Sequence, residues 1–302
     1  MATDFGVNAA AYAPDVLSTG LIGKIARQVV EGEQVPYLFD SLSKGVVKYG
    51  KDIEVALFKA ATGKEPTEEA VTGTKATADV LYFKQWTPRV YSTTIDYDAI
   101  DDGAQSQANA ERQAAVIVDT LYQGASKEKN ANAIAAFAAA MVGVGTDTAK
   151  LVSVGALPEI ADEAGARSFL STVKKAAKKV RRGSPSVNVK GLDVPANRVI
   201  MLTPSDNVTQ VDVFQRIDAE QLDYARFDVD EVIEYDADKY SALNGATFIF
   251  DERYAQFHEK ARKYSEREII GADNGGSILA ALNTRDMYAI CPLFNAVMIT
   301  QQ

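Results

Sequence analysis

KDIEVALFKAATGKEPTEEAVTGTKATADVLYFKQWTPRVYSTTIDY, residues 51–97, joins two kinds of sequence that no single compact element accommodates. At its start Ile53, Val55 and Leu57 alternate with Asp52, Glu54 and Ala56, the period of a half-buried strand. Period two returns at Val80, Tyr82, Lys84 and Trp86, which places Trp86 on a strand beside Tyr82. It returns again at Tyr91, Thr93, Ile95 and Tyr97, with Pro88 between as a breaker. Residues 61–79, rich in Gly, Thr and charge and containing Pro66, suit no core. Two strands flanking a polar tip of about twenty residues make a long hairpin, and loops of that length are mostly functional or disordered. An isolated two-stranded hairpin is poorly stable in water. This one is therefore expected to project from the body and lie on a partner.

Upstream, residues 1–48 mix apolar residues with Gly and Pro. Leu21, Ile22, Ile25, Val29 and Val30 fall at helix spacing behind a Ser18/Thr19 cap. The segment is too apolar to float free and too short to fold alone, which reads as an arm. Downstream, Ala114, Val118, Leu121, Tyr122 and Ala125 form a helical stripe continued by Ala133, Ile134, Phe137 and Met141. Asp101 or Asp102 supplies an acidic start and Gly143 a stop. One helix over Asn109–Met141 would span about 50 Å, and Gly124 offers a place for a break. A further helix carries Ala166, Phe169, Leu170, Val173, Ala176, Ala177 and Val180 on one face and lysines and arginines on the other, stopped by Gly183 and Pro185.

The remainder reads as strands with one short helix. Arg198–Thr203 is almost continuously apolar, the signature of a strand buried on both faces. Thr203 and Ser205 could cap a short helix bearing Val208, Val211, Val213 and Phe214. Strands are expected at Val229–Tyr235, Ala246–Phe250, Ser277–Leu282, Asp286–Cys291 and Asn295–Thr300. The class is α+β, without regular βαβ alternation.

Composition narrows the function. The 302 residues are 47% hydrophobic and 24% charged, which suits one large domain or two modest ones. No apolar run reaches the 18 residues of a membrane span, and the acidic MATDFGVNAAAYAPD start lacks the features of a signal peptide. A single cysteine, Cys291, excludes an intrachain disulfide. With net charge −9 the chain is a poor phosphate binder, so contact with DNA is expected to be weak. Nine acids against one base between Asp218 and Asp238 read as a solvated acidic face.

Catalytic constellations are missing. His258 is the only histidine, no G-x-S-x-G elbow is present, and His258-Glu259 is not completed to H-E-x-x-H because residue 262 is Arg. Gly143-Val-Gly145 lacks the remainder of a phosphate loop, and Asp228-Val-Asp230 and Asp236-Ala-Asp238 lack the Gly and distal Glu of a calcium loop. No catalytic residue, cofactor or metal is assigned, and an enzyme is not expected.

The order of parts resembles the Hong Kong 97 fold of tailed-bacteriophage major capsid proteins. These parts are an apolar arm, a long hairpin, a long helix, a mixed region and a terminal strand. The resemblance implies an N-terminal arm at residues 1–48, an extended loop at 49–87 and a peripheral domain with a spine helix at 88–155. It further implies an axial domain at 156–282, and C-terminal strands at 283–302 returning to the peripheral domain. It implies a shell of hexamers and pentamers around double-stranded DNA, assembled in the host cytoplasm and kept in the virion. Separate scaffolding, portal and decoration proteins would be its partners, with no membrane involved. Neither a cleaved leader nor a lysine crosslink carries over: no long charged helical leader exists, and nothing marks Lys59, Lys64 or Lys75 as reactive. Phe58, Tyr82 and Trp86 are the candidate intersubunit anchors, since aromatics dominate interface hot spots. The rival readings are an encapsulin-type compartment shell, a tail tube subunit and a carboxylate-dependent hydrolase.

Overall fold

The computed structural model of the chain describes residues 43–47, 52–58, 78–84, 86–96, 107–142, 152–157, 160–215, 226–270 and 276–301. The arm helix, the hairpin tip, Tyr97, Asp101, Asp102 and Gly143 lie outside the described residues.

The helix over Glu163–Arg182 (α2 of the series; the longer helix Gln107–Val142 is α1) forms for reasons legible at each end. Asp162 is its N-cap, accepting the Gly165 amide at 2.7 Å. Gly183 ends it at φ 78°, and a Cβ there would lie 2.4 Å from the Val194 carbonyl carbon, so only glycine fits. Its buried stripe is Ala166, Phe169, Val173, Ala176, Ala177 and Val180, as the spacing predicts.

This stripe lies on a five-stranded sheet. In chain order the strands are β1 (Ser43–Val47), β2 (Ile53–Phe58), β3 (Ala78–Phe83), β4 (Thr87–Asp96), β5 (Val152–Leu157) and β6 (Val199–Pro204). After α3 (Ser205–Gln215) come β7 (Glu231–Tyr235), β8 (Thr247–Asp251), β9 (Ala255–Ile270), β10 (Gly276–Ile290) and β11 (Ala296–Gln301). The five-stranded sheet runs β5-β11-β8-β6-β7, a second sheet runs β1-β9-β10-β4, and β2 pairs with β3 alone. All six residues of β6 are buried. Ile200 and Leu202, with Phe248, Phe250 and Met298, share a core with Ala133, Ile134, Phe137 and Ala140 of α1. Val199 and Met201, with Ile249, Val297 and Ile299, turn the other way, toward α2 and toward Val208 and Val211 of α3. The period of two thus sorts each strand between two helical layers. Phe137 is fully buried, its ring 5.5 Å from that of Phe248 and 5.2 Å from that of Phe250.

Polar stitches fix the junctions. Asn295, fully buried, donates to Val180 O at 3.0 Å and to Val194 O at 2.5 Å, while Asn188 donates to Leu293 O at 2.8 Å. They tie the end of α2, where Val180 O also accepts the Gly183 amide at 3.2 Å, to the connections before β6 and β11. Adjacent residues of α1 reach different strands of the four-stranded sheet. Glu128 meets Arg89 of β4 at 2.8 Å, and Lys129 meets Glu259 of β9 at 2.7 Å.

Several expectations need correction. α1 runs unbroken through Gly124. The strands read at Ser277–Leu282 and Asp286–Cys291 are one, β10, with a register shift between Asn283 and Arg285. Trp86 lies in the connection between β3 and β4, not on a strand, and Pro88 sits inside β4. That position is tolerated because β4 is a sheet edge. Thr203 and Ser205 do not cap α3: Thr203 pairs its hydroxyl with Thr247 at 2.8 Å, and Ser205 donates to Tyr235 O at 3.2 Å. The acidic run is not simply a solvated face. Asp230 holds Arg181 at 3.1 Å and the Val199 amide at 2.7 Å, and Glu231 pairs with Arg198 at 2.6 Å. β1, β5 and β9 are additional to the expected strands.

Two substitutions test this packing. Phe137→Ala should destabilise the chain by about 3–5 kcal/mol in urea unfolding, because it opens a cavity between α1 and the sheet. Gly124→Ala should raise stability by roughly 0.5–1 kcal/mol, since the position is helical and exposed, and an added Cβ meets nothing within 4 Å.

Candidate intersubunit surface

The β2–β3 ribbon has one apolar face and one mixed face. In register, Ile53 opposes Phe83, Val55 opposes Leu81 and Leu57 opposes Asp79. Val55, Leu57, Leu81 and Phe83 pack against the core shared by α1 and the five-stranded sheet. The root of the hairpin is therefore seated on its own subunit, where the sequence suggested projection from the body onto a partner. This seating is what allows a two-stranded ribbon to persist. The intervening residues point outward: Glu54 and Ala56 on β2, and Ala78, Val80 and Tyr82 on β3 are exposed. Tyr82 is 57% exposed and Val80 36%. Lys84 stands 5.8 Å from the centre of the Tyr82 ring and 3.8 Å from Asp52. Both ion-pair partners are largely exposed, so that pair contributes little.

The three candidate anchors separate on this geometry. Tyr82 is presented to solvent. Trp86 is half-buried and engaged within its own chain. Phe58 closes β2 opposite Ala78, on the strand facing β3 but four residues along from Glu54, the partner of Tyr82. Val90 and Val116, which sequence reasoning did not single out, are also exposed, as is Val213, which it had grouped with Val208 and Val211 on one helix. Exposed valines at 65–67% carry no periodic signal that separates them from core positions.

The groups with chemical potential are inward and quiet. Cys291 is buried, and burial pushes its thiol up to about 11. His258 is buried with Nε2 at 3.2 Å from Gln256 Oε1. Among the described residues no cluster of three or more His, Cys, Asp or Glu could hold a metal, and no helix is long and apolar enough to cross a membrane.

The sequence profile of the Phi29-like phage major capsid protein family matches residues 14–300. The chain belongs to that family. This capsid protein has solved structural relatives at low identity. The capsid structure of Staphylococcus phage Andhra matches with TM-score 0.61 at 12% identity, covering 87% of this chain and 84% of that one. A chain in the structure of the head fibre and inner core protein gp22 of native bacteriophage P68 matches with TM-score 0.62 at 12% identity, covering 89% and 86%. The capsid of Cyanophage P-SCSP1u matches with TM-score 0.53 at 13% identity, covering 90% and 91%. No curated protein sequence matches. The capsid protein is thus a virion structural component whose mixed α+β fold is that of other phage capsid proteins.

One titration reports on how the capsid protein seats α1 on its sheet. Tyr91 of β4 is pushed up to about 12, first by burial and then by the nearby Glu128 and Asp286 carboxylates. An unfolded tyrosine ionises near ~10, so its contribution to stability is intact below that pH and is lost as pH rises through the folded value. Tyr91→Phe should flatten the loss of stability between about pH 10 and 12. Unfolding followed by phenolate absorbance, wild type against variant, checks it.

Proposed function

We propose that this capsid protein closes through hexamers and pentamers into an icosahedral head enclosing double-stranded DNA, with the β2–β3 ribbon as its reach onto a neighbour. The observation that supports the reading is the ribbon's uncovered outer face, where Ala56, Val80 and Tyr82 stand among the charges of Asp52, Glu54 and Lys84. One face is covered by the subunit's own core, and Ala56, Val80 and Tyr82 remain uncovered on the other. Burying that face on a neighbour gains roughly 25 cal/mol per Å² before association costs. Tyr82 is the anchor best supported by exposure, Phe58 by its place on the same ribbon, and Trp86 least, since it already packs within the chain.

The proposed parts are an arm at 1–48, an extended loop at 49–87, a peripheral unit built on α1 and the four-stranded sheet, and an axial unit built on the five-stranded sheet with α2 and α3. Strand pairing favours drawing the later boundary near Tyr254 instead of residue 282, because β10 is continuous across 282 and pairs with β4. It also favours assigning β11 to the axial sheet, where it pairs with β5 and β8. The proposed location is the virion, after assembly in the host cytoplasm with separate scaffolding, portal and decoration proteins, and only weak DNA contact. The family match supports a phage head over an encapsulin-type compartment.

Tyr82→Asp, and separately deletion of residues 61–77, should leave a folded soluble subunit that fails to form stable shells. Negative-stain microscopy after co-expression with the neighbouring genes reads this out. Normal particles from both variants would refute the ribbon's role. A small oligomer from the wild type under the same conditions would refute the shell itself.

A further inference from the structure

Positive charge in this acidic chain is concentrated on α2. The helix holds seven bases and one acid, Glu163, in a chain of net charge −9. Its inner face is committed to the core. On its outer face Ser168, Ser171, Lys175, Lys178, Lys179 and Arg182 are exposed. Beyond Glu163, which meets Arg167 at 2.5 Å, every polar side chain of the helix is a hydroxyl or a cation, so the surface offers donors and no carboxylate. Half-buried Arg181 is held by Asp230 at 3.1 Å. Asp162, Asp193 and Asp206 are exposed in neighbouring segments. Even so, among the described residues no carboxylate lies within 4.0 Å of Lys175, Lys178, Lys179 or Arg182.

Two features separate this surface from a docking site for protein. Among the described residues the large exposed hydrophobic side chains are Val80, Tyr82, Val90, Val116 and Val213, none of them on α2. The stripe therefore lacks the apolar anchor on which protein interfaces depend. Three of its four cations are lysines, the residue depleted at protein interfaces. A hydrated ammonium on a flexible stem suits a phosphate backbone instead, which presents charge at uniform density and demands no fixed partner geometry. Negative charge elsewhere in the chain is screened over about 8–10 Å at physiological salt. The local sign of the surface decides the contact, and the whole-chain balance keeps it weak.

The fold gives this contact a side. α2 and α3 cover one face of β6 and β8, whereas α1 and the inner face of the β2–β3 ribbon pack on the other. We propose that the stripe of Lys175, Lys178, Lys179 and Arg182 is where the subunit meets the DNA it encloses. The α2 face of the five-stranded sheet then lines the interior, and the α1 face turns outward. The inference rests on the shell reading and deepens it by naming the DNA-facing surface.

A DNA titration of the full chain tests it, read by fluorescence anisotropy of a short duplex as salt is raised. Lys175→Gln/Lys178→Gln/Lys179→Gln should weaken binding roughly tenfold or more, and should flatten the slope of log K against log salt by up to about 2.7, at roughly 0.9 per phosphate contact. Its melting temperature should match or exceed wild type, because like charges at this spacing repel. Lys127→Gln/Lys239→Gln/Arg285→Gln removes the same charge from exposed positions elsewhere and should leave binding and slope unchanged. In filled heads, formaldehyde crosslinks between protein and DNA should map to α2. Equal losses from the two variants, no binding by the wild type, or crosslinks that map away from α2 overturn the inference. Tighter binding of polyglutamate than of the duplex overturns it too, and assigns the stripe to an acidic protein. A wild type that binds the duplex through α2 yet builds no heads would instead overturn the shell reading and leave the DNA contact standing.

Discussion

Everything in this subunit depends on covering both faces of β6 and β8. A strand with six consecutive buried residues exists only between two apolar layers, and here those layers are α1 on one side and α2 with α3 on the other. The Phe137 ring between Phe248 and Phe250 is where the spine-like helix is fixed to the sheet. α1 also spans the four-stranded sheet, so the same helix that completes one core sets the position of the second. The ribbon's inner face joins that core as well. Its outward face is therefore fixed by packing that begins at β6.

Polar groups at the joints refine what the apolar layers start. Asn188 and Asn295 are buried because they hydrogen-bond carbonyls at the end of α2 and in the connection before β11. Arg181, Asp230 and the Val199 amide lock the entrance to β6. Removing one partner of such a set leaves the others unsatisfied, which costs more than the bond itself contributes. These contacts hold the α2 surface in one orientation.

Legibility in the sequence followed how locally each element is determined. α2 was readable in its stripe and its glycine stop, which are local signals, while its Asp162 cap went unread. β6 was readable because double burial leaves a continuous apolar run. The pairing of β2 with β3 was readable from alternation on both sides of a polar tip, though not the seating of its inner face. β9 was not readable: AQFHEKARKYSEREII is full of Glu, Lys and Arg, which favour helix, and its strand form is imposed by pairing with β10. β5, with glycine in its middle, is likewise held by pairing with β11. The acids Asp228 to Glu231 looked solvated because their partners, Arg181 and Arg198, lie thirty or more residues away. Of the anchors, exposure at Tyr82 and self-packing at Trp86 differ only through tertiary contacts, which composition does not encode.

The pairing of β5 with β11 also bears on the order of events at the ribosome. Val152 and Val297 are register partners in parallel strands, so 144 residues must be synthesised between them. At roughly 5–20 residues per second that is about 7 to 30 seconds. During that interval β6, β7 and β8 can join as soon as β8 emerges, but the β8 edge that β11 will cover stays open and β5 waits without a strand to pair with. An open apolar edge is a template for pairing with other chains. A protein made in large numbers for one structure is therefore most vulnerable to misassociation before its sheet is complete, which ties its yield to the rate of translation and to chaperone capacity as closely as to the stability of the finished subunit.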